Sequence, residues 1–234
     1  LGAPPVPFAF MVMGSEGRRE QTLLTDQDNA IIFADPSAGE CTQAAEYFQE
    51  MGSRVCQWLN AACYAFCKGK MMACNPVWCI SAADWRQKFL DWFERLEPED
   101  LLQFKIVFDF RCAHGDNRLV TNLRAWLHEE VRRHPRFLSQ MARDVVQYAP
   151  PLGSFGRLVS EAKEGGRKVL DVKSAMVPMV DFARTYALRE ALQETNTIFR
   201  LDALHARGLL ADANHRQMVQ VYEALMNIRL HHQV

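Results

Sequence analysis

GSEGRREQTLLTDQDNAIIF, residues 14–33, is the stretch that decides the fold of the N-terminal part of this chain. It starts with a Gly-Ser turn and ends in an apolar run, and another apolar run, VPFAFMVM, occupies residues 6–13. Short apolar runs bounded by proline, glycine or polar residues are typical of buried strands. The sequence therefore predicts strands at 6–13 and 29–34, joined by a turn and a polar loop.

Two features of this stretch carry chemistry. Gly14 and Ser15 follow the first strand and precede a predicted helix, so backbone N–H groups, a hydroxyl and a helix N-terminus are available to a phosphate. Asp26 and Asp28 lie two residues apart. On an extended chain they share one face, with Cα atoms ~6.6 Å apart. Two such carboxylates can share a divalent cation, and Mg²⁺ prefers oxygen ligands, although Asp-x-Asp also occurs in ordinary exposed turns.

A third carboxylate lies in KIVFDFRC, residues 105–112. Apolar and polar residues alternate there, which predicts a strand with Asp109 and Arg111 on its less apolar face. A buried, unpaired charge would be costly, so Asp109 requires a partner. The partner is either Arg111, as a structural ion pair, or a metal ion.

The composition limits the function. The chain has 234 residues, 49% of them hydrophobic, and a net charge of −1 from 27 basic and 28 acidic residues. Proteins that grip a nucleic acid backbone usually show a basic excess or stripe. None stands out, and no apolar run of ~18 residues could span a bilayer. We expect neither a nucleic acid partner nor a membrane partner.

The cysteines indicate the compartment. There are seven, an odd number, and no pair has C-x-x-C spacing, so a structural zinc site is not indicated. Scattered, unpaired thiols favour a reducing, cytoplasmic location. The chain begins with Leu1 instead of Met, and we expect it to be part of a longer cytoplasmic protein.

The later sequence is mostly helical in pattern. Helices are predicted at 40–67 and after Ser81, a favourable N-cap residue, and from Arg118 almost to the end. Prolines and glycines in YAPPLGSFG, 148–156, predict a hinge. The expected fold class is α+β, with a mixed-sheet domain at 1–147 followed by an all-helical domain at 148–234.

The motif GS-x-GR-x-E followed by TD-x-D resembles the signature of the DNA polymerase beta-like nucleotidyltransferase superfamily. More narrowly, the chain is similar to a family of bacterial signal-transduction nucleotidyltransferases related to the PII uridylyltransferase. MACNPVW, FDFR and LDVKSAMVPMVDFARTYAL resemble further segments of that family. In that family the catalytic unit commonly follows cyclic-nucleotide-binding and CBS domains, so upstream regulatory domains of the same chain are expected partners.

The resemblance implies a role for each motif residue. Asp26 and Asp28 are the implied metal ligands, with Asp109 as the third acid, a base or a ligand of a second ion. The implied nucleotide-binding residues are Gly14, Ser15, Arg18, Glu20 and, from the helical domain, Lys173, for which an ordinary surface lysine is the alternative. Two residues depart from the family pattern, since Arg19 replaces a small residue and Lys70 interrupts a glycine-rich segment.

These residues lead to one main hypothesis and two alternatives. The main hypothesis is a Mg²⁺-dependent enzyme that moves a nucleoside monophosphate from a nucleoside triphosphate to a hydroxyl of a protein partner, in a signalling context. One alternative is a catalytically silent module that senses a nucleotide. The other keeps the chemistry but transfers the nucleotide to a small molecule.

Overall fold

The structure is a computed structural model that describes residues 1–147, 162–164, 167–169 and 172–233. The chain divides into two compact units, Leu1–Phe137 and Leu138–Val234. The first unit contains strands β1 (Phe8–Val12), β2 (Asn29–Phe33), β3 (Cys79–Ser81) and β4 (Arg111–Gly115), helices α1 (Gly14–Gly17), α2 (Cys41–Ala61), α3 (Ala82–Arg95), α4 (Pro98–Val107) and α5 (Asn117–Glu130), and short 3₁₀ turns at Pro76–Trp78 and Val131–Arg133.

The four strands form one mixed sheet in the order β3-β2-β1-β4. β1 is antiparallel to β2, with Val12 opposite Asn29. β1 is also antiparallel to β4, with a register shift between Phe10 and Met11, and β2 is parallel to β3. The predicted mixed sheet is confirmed, and so are the two strands predicted around the Gly-Ser turn.

Both faces of this sheet are covered, because all five residues of β2 are buried. The buried residues of α2 recur at every fourth position: Ala44, Phe48, Gly52 and Cys56. Phe48 stacks on Phe33 of β2 with ring centroids 4.7 Å apart. Gly52 allows close packing, since a methyl group there would lie 2.4 Å from the Ala73 carbonyl oxygen. α2 is thereby fixed against the segment that leads into β3.

A second part of the core is aromatic. It is built around Phe89 of α3, whose ring lies within 6.5 Å of the rings of Trp85, Trp92, Phe93, Phe104, Phe110 and Trp126. Helix α3 starts where the sequence predicts, because the Ser81 hydroxyl accepts a hydrogen bond from the Asp84 N–H. Buried aromatic side chains contribute large apolar areas, so this cluster stabilises the helices that flank the sheet.

The prediction of a strand over 105–112 is wrong. Helix α4 continues to Val107, and β4 begins only at Arg111. Pro98 occupies the first turn of α4, and the buried residues Leu101 and Phe104 follow at helical spacing. Asp109 therefore lies in the turn between a helix and a strand.

The second unit is helical, as predicted, with one addition. Helix α6 (Pro135–Gln147) begins before the division between the units, and α7 (Val172–Arg189), α8 (Thr197–Ala206) and α9 (Asp212–His231) belong to the second unit. The addition is a pair of short antiparallel strands, β5 (Ala162–Glu164) and β6 (Arg167–Val169). Met176 and Val180 of α7 pack with Tyr222 of α9 in the core of this unit.

The hinge predicted at 148–156 lies outside the described residues, and the domain boundary between residues 147 and 148 stays a prediction. In the described ranges, no helix combines the length and the apolar character that crossing a bilayer demands.

Candidate active site

The polar residues 26–29, which lead into β2, alternate between two sides of the extended chain. Asp26 and Asp28 are half-buried, whereas Gln27 and Asn29 are 1% and 2% exposed. This is the alternation expected of extended chain. The two carboxylates consequently share the more open side, and their oxygens come within 4.8 Å of each other.

The two inward amides hold the loop that follows α2. Gln27 donates from its side chain to the carbonyls of Cys56 and Tyr64, at 3.0 and 2.9 Å. Asn29 accepts the N–H of Ala73 at 2.8 Å. Buried amides are stable only with such partners. These two residues were missed by the sequence analysis, because their partners lie 27 to 44 positions away.

Cys67 is the third group at the carboxylate pair. Its sulfur and one oxygen each of Asp26 and Asp28 all lie within 4.8 Å of one another. Burial, together with the nearby Asp28 carboxylate, raises the pKa of the Cys67 thiol to about 11. In the absence of a cation, the thiol at this position is therefore protonated at neutral pH.

Helix α1 brings the Gly-Ser turn against Asp28. Gly14 has a φ of +55°, and a methyl group there would lie 2.6 Å from Asp28 Oδ2. Only glycine fits both the backbone conformation and the space. The Met13 N–H donates to the Asp28 carbonyl at 2.8 Å, which fixes the turn to the start of β2. Ser15, next in the chain, is half-buried.

The short length of α1 corrects one expectation. The helix predicted after the Gly-Ser turn has only four residues, Gly14–Gly17. A helix dipole is a sum over aligned peptide groups, so a single turn supplies little of the expected positive potential. A phosphate at this turn would depend on individual N–H groups and side chains.

Hydrogen bonds also brace the loop between α1 and the aspartates. Gln21 donates to Glu16 Oε2 at 3.3 Å and to Thr25 Oγ1 at 3.1 Å. Burial raises the pKa of Glu16, and the charge of Arg111 opposes that shift. The brace connects α1 to the residue that directly precedes Asp26.

Arg18 is the centre of a buried ion network at the other end of α1. Its guanidinium donates to Glu20 Oε2 at 2.6 Å and to Asp109 Oδ2 at 2.7 Å. The side chains of Arg18, Glu20 and Asp109 are 13%, 5% and 0% exposed. Burial alone would lower the pKa of Arg18, but the charges of Asp109 and Glu20 outweigh it and raise that pKa. The arginine therefore keeps its charge.

The turn that carries Asp109 is anchored from two sides. A methyl group at Gly17 would lie 2.0 Å from the Asp109 carbonyl oxygen, so α1 touches this turn directly. The buried guanidinium of Arg124 donates to the carbonyls of Phe108 and Phe110. Asp109 is thus held by its backbone and its side chain alike.

Comparison with protein families gives two matches. Residues 1–99 match the family described as Putative nucleotidyltransferase DUF294, and residues 135–234 match the family described as Putative nucleotidyltransferase substrate binding domain. The chain belongs to this nucleotidyltransferase family. The first match contains α1, Asp26 and Asp28, and the second contains Lys173. No curated protein matches the chain in a direct sequence search.

In this nucleotidyltransferase the predicted site residues of the first unit fall into two groups, and the remaining one, Lys173, belongs to the second unit. Gly14 and Ser15 lie beside Asp28 and its neighbour Asp26. Arg18, Glu20 and Asp109 form the buried network. Among the described residues, the ligand atoms of Asp109 do not join the group formed by Asp26, Asp28 and Cys67.

Two arginines of the first unit and one lysine of the second unit have defined positions. Asp109 pairs with Arg18, whereas the Arg111 guanidinium donates to the Glu16 carbonyl at 3.3 Å. Lys173 is exposed in the first turn of α7, in the second unit. Its contact with a triphosphate stays a prediction, as do the roles of the other predicted site residues.

Proposed function

We propose that this nucleotidyltransferase moves a nucleoside monophosphate from a triphosphate to a hydroxyl group in a Mg²⁺-dependent reaction at Asp26 and Asp28. The observation that carries the proposal is the juxtaposition of these two half-buried carboxylates with the Gly14 turn. Carboxylate oxygens are the ligands Mg²⁺ prefers, and one or two protein carboxylates are its usual complement beside phosphates and water. The donor set of Asp26 and Asp28 therefore fits the divalent cation that the family implies.

The reaction balances without a redox partner. The acceptor oxygen attacks the α-phosphorus, the bond from that phosphorus to the bridging oxygen breaks, and pyrophosphate leaves as the acceptor loses its proton to a base or to water. A divalent cation supplies neutralisation of the phosphate charge. Positioning and electrostatic stabilisation account for most of the rate in such transfers.

The residues of the chain have separate tasks in this proposal. Asp26 and Asp28 hold the cation, and the backbone at Gly14 permits a phosphate to approach closely. The Ser15 hydroxyl donates to that phosphate. Lys173 adds a positive charge for the triphosphate from the substrate-binding domain.

Asp109 is given a different task from the one the sequence analysis predicted. Its carboxylate is completely buried and paired with Arg18, which supports a role in positioning α1. Arg18 and Glu20 then act through the shape of the turn. The base or second-metal role predicted from the sequence is the competing hypothesis for Asp109.

For the acceptor we propose a hydroxyl of a protein partner, in a cytoplasmic signalling system with regulatory domains upstream in the same chain. The support is the resemblance to relatives of the PII uridylyltransferase, the match to a substrate-binding domain, and seven cysteines that are all free thiols.

The test is a panel of α-labelled nucleoside triphosphates incubated with Mg²⁺ and cell extract. We expect one labelled macromolecular product with the wild-type chain and none with Asp28→Ala. Glu50→Gln, an exposed carboxylate on α2, is the matched control and should label normally. Equal labelling by Asp28→Ala would refute the proposal, tight triphosphate binding without pyrophosphate release would favour the sensing module, and a labelled small molecule would favour the other acceptor.

A further inference from the structure

Backbone hydrogen bonds fix the position of the Cys67 loop. On one side of Cys67, the Gln27 N–H donates to the Ala65 carbonyl at 2.9 Å. On the other side, the Asn29 N–H donates to the Met71 carbonyl at 3.0 Å. The loop is therefore hydrogen-bonded, both before and after the cysteine, to the segment that leads into β2. These hydrogen bonds place the thiol beside the carboxylates that the same segment carries.

The geometry of the three groups suits one ion. Zinc-class ions bind sulfur at ~2.3 Å and carboxylate oxygen at ~2.0–2.2 Å, so ligand atoms around one ion lie roughly 3–4 Å apart. The sulfur of Cys67 and the oxygens of Asp26 and Asp28 lie within 4.8 Å of one another. The three groups therefore lie close to the spacing that a single ion requires.

We propose that Cys67 is a third protein ligand at the cation site, so that Zn²⁺ or Cd²⁺ binds through one sulfur and two carboxylates more tightly than Mg²⁺ binds through oxygen alone. The inference concerns the same site as the proposed function and rests on it for the catalytic meaning of the site. On binding, the thiol releases its proton to solvent and the thiolate forms the bond to the metal. Soft thiolate ligands select zinc-class metals, whereas Mg²⁺ favours oxygen.

This assignment has a functional consequence. A zinc-class ion held by three protein ligands would occupy the place where the catalytic Mg²⁺ is proposed to bind. Micromolar Zn²⁺ should then inhibit transfer by competing with Mg²⁺. If the thiol only packs against the carboxylates, Cys67→Ser should leave the Zn²⁺ concentration needed for inhibition unchanged, whereas a thiolate ligand predicts that this concentration rises.

The experiment uses the whole chain and Cd²⁺ as the only ligand. Titration is followed by the ultraviolet charge-transfer absorbance of thiolate–Cd²⁺ bonds, with Cys63→Ser as the matched control because Cys63 is an exposed cysteine of the same loop. We expect Cys67→Ser to remove one component and weaken the tightest Cd²⁺ binding at least about 10-fold. Asp26→Asn/Asp28→Asn should remove the same component, and Cys63→Ser should leave it.

Loss of the component in Cys63→Ser, or its survival in Cys67→Ser or in the double aspartate variant, overturns the proposal. Far-ultraviolet circular dichroism checks that each variant folds, and a misfolded Cys67→Ser is replaced by residue-resolved alkylation of the wild-type chain. In that experiment Cd²⁺ should slow the alkylation of Cys67 at least about 10-fold more than the alkylation of Cys63. If Cd²⁺ slows both reactions by the same factor, the proposal is rejected.

The outcome is separable from that of the proposed function. The Cd²⁺ titration contains no nucleotide, so a chain without transfer activity can still show the Cys67 component. Transfer with Mg²⁺ but without that component leaves the function standing and removes only the third ligand.

Discussion

Asp28 and Asp109 lie at opposite ends of the same four-residue helix, yet their surroundings differ. Asp28 meets the Gly14 end of α1 and is half-buried, next to Asp26 and Cys67. Asp109 meets the Gly17 end, is completely buried, and is paired with Arg18. One carboxylate is half-buried beside a second carboxylate and a thiol, and the other is completely buried against a positive charge of the protein.

The buried carboxylate, and not the half-buried one, can hold the turn in place. Carboxylates that bind a cation repel one another and cannot stabilise the free protein. A buried and fully partnered carboxylate can fix neighbouring backbone, although at a desolvation cost. The network of Arg18 therefore supports α1 at its Gly17 end, while Asp26 and Asp28 remain only half-buried near its Gly14 end.

The largest effect on stability is expected from Asp109→Asn. The substitution leaves the buried guanidinium of Arg18 with less compensation, and breaking such a pair costs about 3–5 kcal/mol. We expect a loss near the lower end, about 3 kcal/mol, because Glu20 still pairs with Arg18. Asp28→Asn should change the unfolding free energy by less than about 1 kcal/mol. Denaturant unfolding of the two variants measures both values.

The same pair of variants tests the role of Asp109 in catalysis. At a temperature where both variants are folded, Asp109→Asn should keep transfer activity within about 10-fold of wild type, whereas Asp28→Asn should lose on the order of 10²–10³-fold. A folded Asp109→Asn protein as inactive as Asp28→Asn would restore the predicted base or metal-ligand role.

A smaller effect is expected where α1 touches the Asp109 turn. In Gly17→Ala the added methyl group would lie 2.0 Å from the Asp109 carbonyl oxygen, so the backbone must shift, at a cost of about 1–3 kcal/mol. Gly39→Ala is the control, because its methyl group would meet nothing within 4 Å. Equal melting temperatures for the two variants would show that the contact between α1 and the turn is loose.

Lys70→Gly should stabilise the chain slightly. Lys70 has a φ of +55° in the loop that carries Cys67, and a non-glycine residue there costs about 1–2 kcal/mol. The greater freedom of glycine in the unfolded chain offsets part of the gain, leaving about 0.5–1 kcal/mol. Lys68→Gly, at a position without a positive φ, should be neutral or destabilising in the same unfolding assay. If Lys70→Gly is the less stable variant, the loop conformation is not as described.

The smallest effect concerns an exposed carboxylate, which serves as the reference for Asp109. Asp212 accepts a hydrogen bond from His205 at 2.6 Å, and this bond, followed by the charge of His205, lowers the pKa of Asp212. A lowered folded-state pKa adds stability above the unfolded value near ~3.9, and that stability is lost as pH falls through the folded value.

Because Asp212 is exposed, solvent screens this pair and its contribution is small. His205→Asn should return the pKa of Asp212 to its usual range in an NMR titration, with little change in melting temperature. The control His231→Asn should leave that pKa low. An unchanged pKa in His205→Asn would mean that the pair is not populated in solution.

Local patterns predicted the parts of the fold that depend on neighbouring residues. The apolar runs around Gly14 became β1 and β2, and Ser81 capped α3 as expected. The segment 105–112 was misread because its alternating residues also fit the end of a helix with buried Leu101 and Phe104. Periodicity over so few positions does not separate the two.

The site was predicted only where its residues are close in sequence. Asp26 and Asp28 share a side because they lie two apart on an extended chain. Cys67 joins them through a loop whose course depends on the buried amides Gln27 and Asn29. Arg18 pairs with Asp109 across 91 positions. Such long-range partners follow from the packed fold, and no spacing in the sequence encodes them.

Arg19 and Lys70 both adopt a backbone conformation that favours glycine. Both were noted as departures from a small or glycine-rich family pattern, and both have a positive φ, +59° and +55°. The left-handed region favours glycine, so both residues adopt their backbone conformation at an energetic cost.

The most direct measurement is the binding of Mn²⁺, a paramagnetic substitute for Mg²⁺, followed by electron paramagnetic resonance. The account predicts binding to the wild-type chain, at least about 10-fold weaker binding to Asp28→Asn, and wild-type binding to folded Asp109→Asn. Absence of Mn²⁺ binding, or equal loss in Asp28→Asn and Asp109→Asn, would contradict the division between an open cation site and a buried support.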